Sequence, residues 1–143
     1  PKIDNYLLNF FTLIIIAPII TYIYIKSIKK IKTNYSNYYI IDIYLKGKPK
    51  ITMNSYLDTG NILKDPYKRR PIILIDKHKI NYQNEKIIFV PYNTIDSHGI
   101  LECFSPEKIY INKVGERKNI LIGLIDEVGI EGAECILNRN IIE

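Results

Sequence analysis

The sequence predicts an all-β domain, a small closed β structure with one short helix, following an N-terminal helix long enough to cross a membrane. Three observations carry that prediction. The segment from Tyr6 to Ile25 is mostly apolar and contains no charged residue. Four lysines, Lys26, Lys29, Lys30 and Lys32, follow it directly. From residue 38 onward, short segments rich in β-branched and aromatic residues alternate with Pro, Gly, Asn and Asp.

As a helix, the apolar run would rise roughly 30 Å, the hydrocarbon thickness of a bilayer. A secretory signal would carry its positive charge before the apolar stretch, and here the order is reversed. A buried core helix of this length would need a far larger protein around it. Pro18 removes one backbone hydrogen bond and is expected to kink the span, which membrane helices tolerate. Positive segments stay on the cytoplasmic side, so everything after residue 32 is expected in the cytosol. The chain opens at Pro1 rather than Met, and reads as part of a longer, multi-pass membrane protein. Residues 1–33 are thus expected to be a membrane helix with its basic flank, and residues 38–143 a separate domain.

The net charge is +5 over 143 residues. Beyond residue 33, fifteen Lys and Arg face fourteen Asp and Glu, so the excess belongs to the membrane flank. There it can touch anionic lipid, at roughly 1 kcal/mol per lysine. A nucleic-acid binder would cluster its charge on the folded domain, and none is expected here. Lys68-Arg69-Arg70 reads as a solvated loop.

After a polar linker at Thr33–Asn37, the first strand is expected at 39–45. Lys46-Gly47-Lys48-Pro49 makes a turn, and the chain returns from Ile51 to Leu57. Further strands are expected at Pro71–Ile75, Lys86–Val90, Ile100–Phe104, Lys108–Ile111 and Asn119–Ile122. Their spacing suits a small closed β structure better than a βαβ sheet. The one short helix is placed near Leu124–Val128, or alternatively at Gly132–Leu137, with Ile141-Ile142 as a last strand.

Strand two runs into Asp58-Thr59-Gly60, the signature of aspartic peptidases. Two carboxylates a few Å apart share one proton, because both cannot ionise side by side. The ionised one activates a water, and the protonated one supplies a proton to the substrate. Thr59 would lock two such loops together through its hydroxyl, and Gly60 would let the backbone turn tightly. The tripeptide alone is a weak signal. It gains weight from the apolar strand before it, from the apolar segment Ile120-Leu121-Ile122-Gly123 about sixty residues on, and from a loop at Ser97-His98-Gly99 placed to cover a substrate. Asp96-Ser97 is followed by His98 rather than Gly, so this chain carries one catalytic loop. The second carboxylate must then come from a second copy, which implies a two-fold homodimer.

Cys103 and Cys135 are expected to be reduced thiols in the cytosol. With His78 and His98 they lack the spacing of zinc ligands, apart from the pair His98 and Cys103, and nothing around Cys103 marks a nucleophile turn. Neither a metal nor an organic cofactor is expected.

Beyond the tripeptide, Asn61, Leu63, Asp65-Pro66, Pro71-Ile72-Ile73, Val90-Pro91-Tyr92, Gly99-Ile100-Leu101, Phe104, Pro106 and the Ile-Leu-Ile-Gly segment resemble the sporulation sigma-E factor processing peptidases. Those are membrane-embedded aspartic proteases with a retropepsin-like catalytic domain. The likeness covers roughly residues 38–143, and the preceding span is similar to that family's last membrane helix. The resemblance implies a retropepsin-like fold, Asp58 as the catalytic residue and Thr59 and Gly60 as its loop. It also implies an Ile120–Gly123 strand passing under that loop, with Ile122 as a pocket residue. Asn61 and the Ser97–Gly99 flap become possible substrate contacts, and Asp65-Pro66 a structural turn. The implied substrate is the sigma-E precursor, which loses its N-terminal pro-sequence in the mother cell. The implied activator is a secreted signalling protein from the forespore. Two alternatives stay open: a tethered retropepsin-like peptidase with another substrate, and a tethered β domain that binds a partner and cleaves nothing.

Overall fold

The computed structural model describes residues 2–143, with side chains described for 4–30 and 36–143. Pro1 and the side chain of Lys32 lie outside the described residues. The chain forms two compact units, Pro1–Ser36 and Asn37–Glu143.

The first unit is a single helix, α1 (Lys2–Ser36). The expected polar linker at 33–37 shrinks to Asn37, because no Pro or Gly between the span and that residue breaks the helix. Large apolar side chains such as Phe10, Ile14, Ile19 and Ile23 stand exposed on every side. The stretch Asp4–Lys30 is long and apolar enough to cross a membrane. Its threonine hydroxyls are satisfied within the helix, Thr12 donating to the Leu8 carbonyl at 2.7 Å and Thr21 to the Ala17 carbonyl at 2.8 Å. In lipid this internal pairing is required, since no water is present to take the bond.

The second unit is mostly β. Its strands are β1 (Tyr38–Tyr44), β2 (Ile51–Asp58), β3 (Ile72–Asp76), β4 (Ile88–Asn93), β5 (His98–Phe104), β6 (Lys108–Ile111), β7 (Gly115–Arg117), β8 (Leu121–Ile125) and β9 (Cys135–Asn138), followed by α2 (Arg139–Ile142). They make one sheet in the order β4-β5-β8-β3-β9-β2-β1-β6-β7. The pairs β2–β9 and β3–β8 are parallel, and the others are antiparallel.

The sheet is open, so the expected closure is corrected: β4 and β7 end it without meeting. The two edges do not suit one another. Strand β7 has three residues, and β4 carries Pro91, which cannot donate to a further strand. The helix positions are corrected too. Leu124 belongs to β8, residues 135–137 belong to β9, and the short helix falls on the Ile141-Ile142 segment expected as a strand. Asn138 decides that local outcome. It has extended backbone, and its side chain accepts from the Asn140 amide as an N-cap.

Alternation along the strands builds two apolar clusters. Ile73 and Ile75 of β3 point into the main core with Ile41, Ile43, Phe104, Ile109, Ile122 and Leu137. The opposite face supplies Ile72, which packs with Val90, Leu101, Cys103 and Leu121 in a second cluster supported by Leu63 and Leu74. Gly123 of β8 faces this second cluster. A Cβ there would lie 2.6 Å from Leu101 Cδ2 and 3.1 Å from Ile72 Cγ2.

Candidate active site

Strand β2 delivers Asp58 at its last position, half-buried. The chain then turns. The Asn61 amide donates to the Asp58 carbonyl at 3.0 Å, and the Gly60 amide donates to Asp58 Oδ1 at 2.8 Å. The carboxylate therefore has one oxygen fixed by its own loop. Gly60 permits this approach, because a Cβ would sit 3.1 Å from that same oxygen. Thr59 is exposed.

Asn61 is buried at 6% exposure and points backward into the protein. Its Nδ2 donates to the carbonyls of Ile72 at 3.3 Å and Leu137 at 3.5 Å, and its Oδ1 accepts from the Leu63 amide at 3.3 Å. These bonds brace the loop, while Asn61 also lines the cleft above Asp58.

The 64–71 segment folds back beneath the loop. Lys64 and Pro71 form a β-bridge, and the Asp65 amide donates to the Arg70 carbonyl at 3.0 Å. Asp65 is buried, and its carboxylate accepts from Arg70 Nε at 2.6 Å and from the amides of Tyr67 and Lys68 at 2.7 and 3.2 Å. Burial pushes its pKa up, but the Arg70 hydrogen bond, those two amides and the Arg70 charge together hold it below its ordinary value. Arg70 is thus an internal pair, correcting its expected place in a solvated loop.

A cleft of about 690 Å³ opens above Asp58, well within the range of small-molecule and peptide sites. Asp58, Gly60, Asn61, Ile62 and Leu63 line one side, Leu74 the wall, and residues 93–96 the other side. Those last residues are the end of β4 and the turn of the β4–β5 hairpin. Thr94 and Ser97 close it through the Thr94 amide to the Ser97 carbonyl at 2.7 Å and the Ser97 amide to Thr94 Oγ1 at 3.1 Å. The tip of the hairpin is therefore 94–97, with Ile95 fully exposed at its end.

Of the expected contact residues, Ser97 closes the turn, while His98 and Gly99 open β5 behind it. Gly99 faces Tyr92 across the hairpin, and a Cβ there would meet the Tyr92 oxygen at 3.0 Å. Ile122 is fully buried in the main core, and Leu74 takes the place at the cleft wall.

The strand beside the Asp58 loop is β9, not the Ile120–Gly123 segment. Its residues Leu121–Gly123 lie in β8 between β3 and β5, while β9 runs parallel to β2 with Asn138 in register with Asp58. Asn138 and Arg139 were not singled out in the sequence. Asn138 is completely buried, and its Nδ2 donates to the carbonyls of Leu63 at 2.7 Å and Ile72 at 3.2 Å. The Arg139 amide donates to the Asn61 carbonyl at 3.1 Å. The legible signal was an Asn placed between two apolar pairs, Ile136-Leu137 and Ile141-Ile142, with the pattern of a helix N-cap.

The thiols sit apart from this chemistry. Cys103 is buried, and its pKa is pushed up to about 12, first by burial and then by the nearby Asp65 charge, against a smaller opposing effect of Arg70. Burial pushes the Cys135 thiol up as well. Neither forms a thiolate readily near neutral pH.

Residues 3–139 match the family of the sporulation factor SpoIIGA, Peptidase U4. A probable sporulation sigma-E factor-processing peptidase from Clostridium acetobutylicum is 33% identical over 123 residues, which cover 79% of this chain and 46% of that protein. The chain thus spans about half the length of the curated relative it matches.

Proposed function

The chain belongs to the sporulation factor SpoIIGA family, and on that premise we propose that it supplies half of a membrane-anchored aspartic endopeptidase acting on the sigma-E precursor. The observation that carries this reading is the placement of Asp58. Its carboxylate is oriented by the Gly60 amide at the floor of a cleft that a β-hairpin covers.

In this reading two chains bring their Asp58 carboxylates together on a two-fold axis. One is ionised and takes a proton from a water held between them. The water oxygen attacks the peptide carbonyl carbon, and the protonated carboxyl gives its proton to the carbonyl oxygen. The tetrahedral intermediate then collapses: the carboxyl that took the water's proton gives it to the amine nitrogen as the C–N bond breaks, and the other carboxylate takes back a hydroxyl proton. The exposed Thr59 hydroxyls fasten the two loops to each other, and residues 94–97 close over the extended substrate. No metal or organic cofactor takes part.

The residues 1–33 form the end of a multi-pass membrane region, and residues 38–143 are the retropepsin-like catalytic domain on the cytoplasmic side in the mother cell. The lysines after the span support that orientation. A shared bilayer raises the effective concentration of the two halves. The activating signal is a secreted forespore protein received on the far side of the membrane.

The test is co-expression of the anchored chain with a sigma-E precursor in a host that does not sporulate. Shortened precursor is expected with the native chain and none with Asp58→Asn. Equal shortening by both would remove the assignment.

A further inference from the structure

Asn138 is joined to the cleft by a set of bonds that a capping residue does not need. Capping of α2 uses only its Oδ1, which accepts from the Asn140 amide at 2.9 Å and from Asn140 Nδ2 at 3.0 Å. Its Nδ2 points the other way, to the Leu63 carbonyl at 2.7 Å and the Ile72 carbonyl at 3.2 Å. Leu63 lines the cleft, and its carbonyl is also the acceptor for the Ile72 amide at 3.1 Å. One buried amide thus ties the far end of the Asp58 loop to the junction of β9 and α2.

The near end is tied to the same junction. Asn61, whose amide closes the turn on Asp58, receives the Arg139 amide at its carbonyl and donates its own Nδ2 to the Leu137 carbonyl. The Ile72 carbonyl is shared by both side-chain amides. Residues 137–139 therefore grip the loop at 61 and at 63, while Asp58 itself faces Asn138 across the parallel pair. Asn61, Ile72, Leu137 and Asn138 are buried, so a bond lost among them is not readily replaced by water.

We infer that Asn138 is a positioning residue for Asp58: through Leu63 and Ile72 it holds the 58–63 loop at the height and tilt that the cleft chemistry requires. It touches no reacting atom. The inference rests on the proposed role of Asp58 and extends it to a residue in another strand. Loss of the amide would let the loop relax, and a misplacement near 1 Å costs about a hundredfold in rate.

The experiment uses the full anchored chain in detergent with a purified sigma-E precursor, and measures kcat and KM separately alongside thermal midpoints. Asn138→Ser keeps an oxygen for the α2 cap but cannot reach the Leu63 carbonyl. A second variant, Asn138→Thr, suits the extended backbone of that position (φ −89°, ψ 137°) and removes the same bond. Ile109→Val, in the core on β6, serves as a stability control. Both Asn138 variants are expected to lose about ten- to a hundredfold in kcat with KM within about twofold, well below their melting range. The control is expected to keep its kcat.

Wild-type kcat in both folded Asn138 variants overturns the inference while leaving the reading of Asp58 intact. So does a kcat loss in the control that matches theirs at equal thermal loss, because the effect is then one of stability. Failure of both variants to fold assigns Asn138 to folding and also overturns it. Cleavage that survives Asp58→Asn removes the underlying reading and the inference with it.

Discussion

Asp58 and Asn138 are register partners at the ends of two parallel strands, β2 and β9, that lie side by side in the sheet. Nearly the whole chain between them is spent before the second strand arrives. One residue ends the strand that carries the carboxylate, and the other begins the helix that braces its loop. The hydrogen bonds among Asn61, Leu63, Ile72 and residues 137–139 make the loop and the junction one unit.

The buried pair under that unit has a pH signature. The folded pKa of Asp65 lies below its ordinary value near 3.8. Between the two values the unfolded chain binds more protons than the native one, so Asp65 contributes its full stability above about pH 4–5 and loses it as pH falls through the folded pKa. The thermal midpoint of the native chain should fall over that acidic window, and the fall should be shallower in Asp65→Asn. Breaking the pair from the other side with Arg70→Met should cost about 3–5 kcal/mol at pH 7, since it strands a buried charge. A midpoint unchanged by Arg70→Met would show that the pair contributes nothing.

Asp96 lines the same cleft as Asp58, from the tip of the β4–β5 hairpin. It is exposed and is not held by a loop amide as Asp58 is. Asp96→Asn should therefore keep kcat within about threefold of native, well short of the loss expected for a general acid or base. A loss as complete as that of Asp58→Asn would place both carboxylates in one chain and remove the need for a second copy.

Burial of Cys103 and Cys135, with both thiols titrating far above neutrality, gives a third expectation. Native protein at pH 7.5 should resist an alkylating reagent, and the Cys103→Ala, Cys135→Ala double variant should cleave precursor at near-native kcat. Activity should also follow a bell with pH rather than rise continuously into the alkaline range, as a shared-proton dyad requires. Inactivation by alkylation at one equivalent would point to a thiol nucleophile.

Much of this fold could be read from alternation alone. The β-branched segments at 38–44 and 51–58 carry their period on the surface of the sequence, and so does the apolar run of α1. The Asp-Thr-Gly loop is legible because its chemistry constrains three adjacent residue types. What escaped is non-local. Strand β9 is four residues long, and Cys135-Ile136-Leu137 suits a helix or a strand equally until β2 and β3 are there to pair with it. The Ile120–Gly123 segment mimics it in composition, and only the sheet order separates the two. Gly123 is glycine because Leu101 and Ile72 crowd it, not because a loop passes overhead. The hairpin tip shifted by three residues, because His98 continues the ladder opposite Asn93 and the turn falls on 94–97. Arg70 looked solvated because its partner, Asp65, is brought to it by a loop that closes on itself.

The central claim is that each chain gives one carboxylate, Asp58, to a site shared by two chains. It is tested most directly by mixing. Native and Asp58→Asn chains, with subunit exchange allowed, should be combined at a constant total amount, and the cleavage rate followed as the native fraction changes. A shared site predicts a rate that falls with the square of that fraction, to about a quarter at equal amounts, because a mixed dimer has one defective half. A rate strictly proportional to the native fraction, one half at equal amounts, would contradict the account and make each chain a complete enzyme.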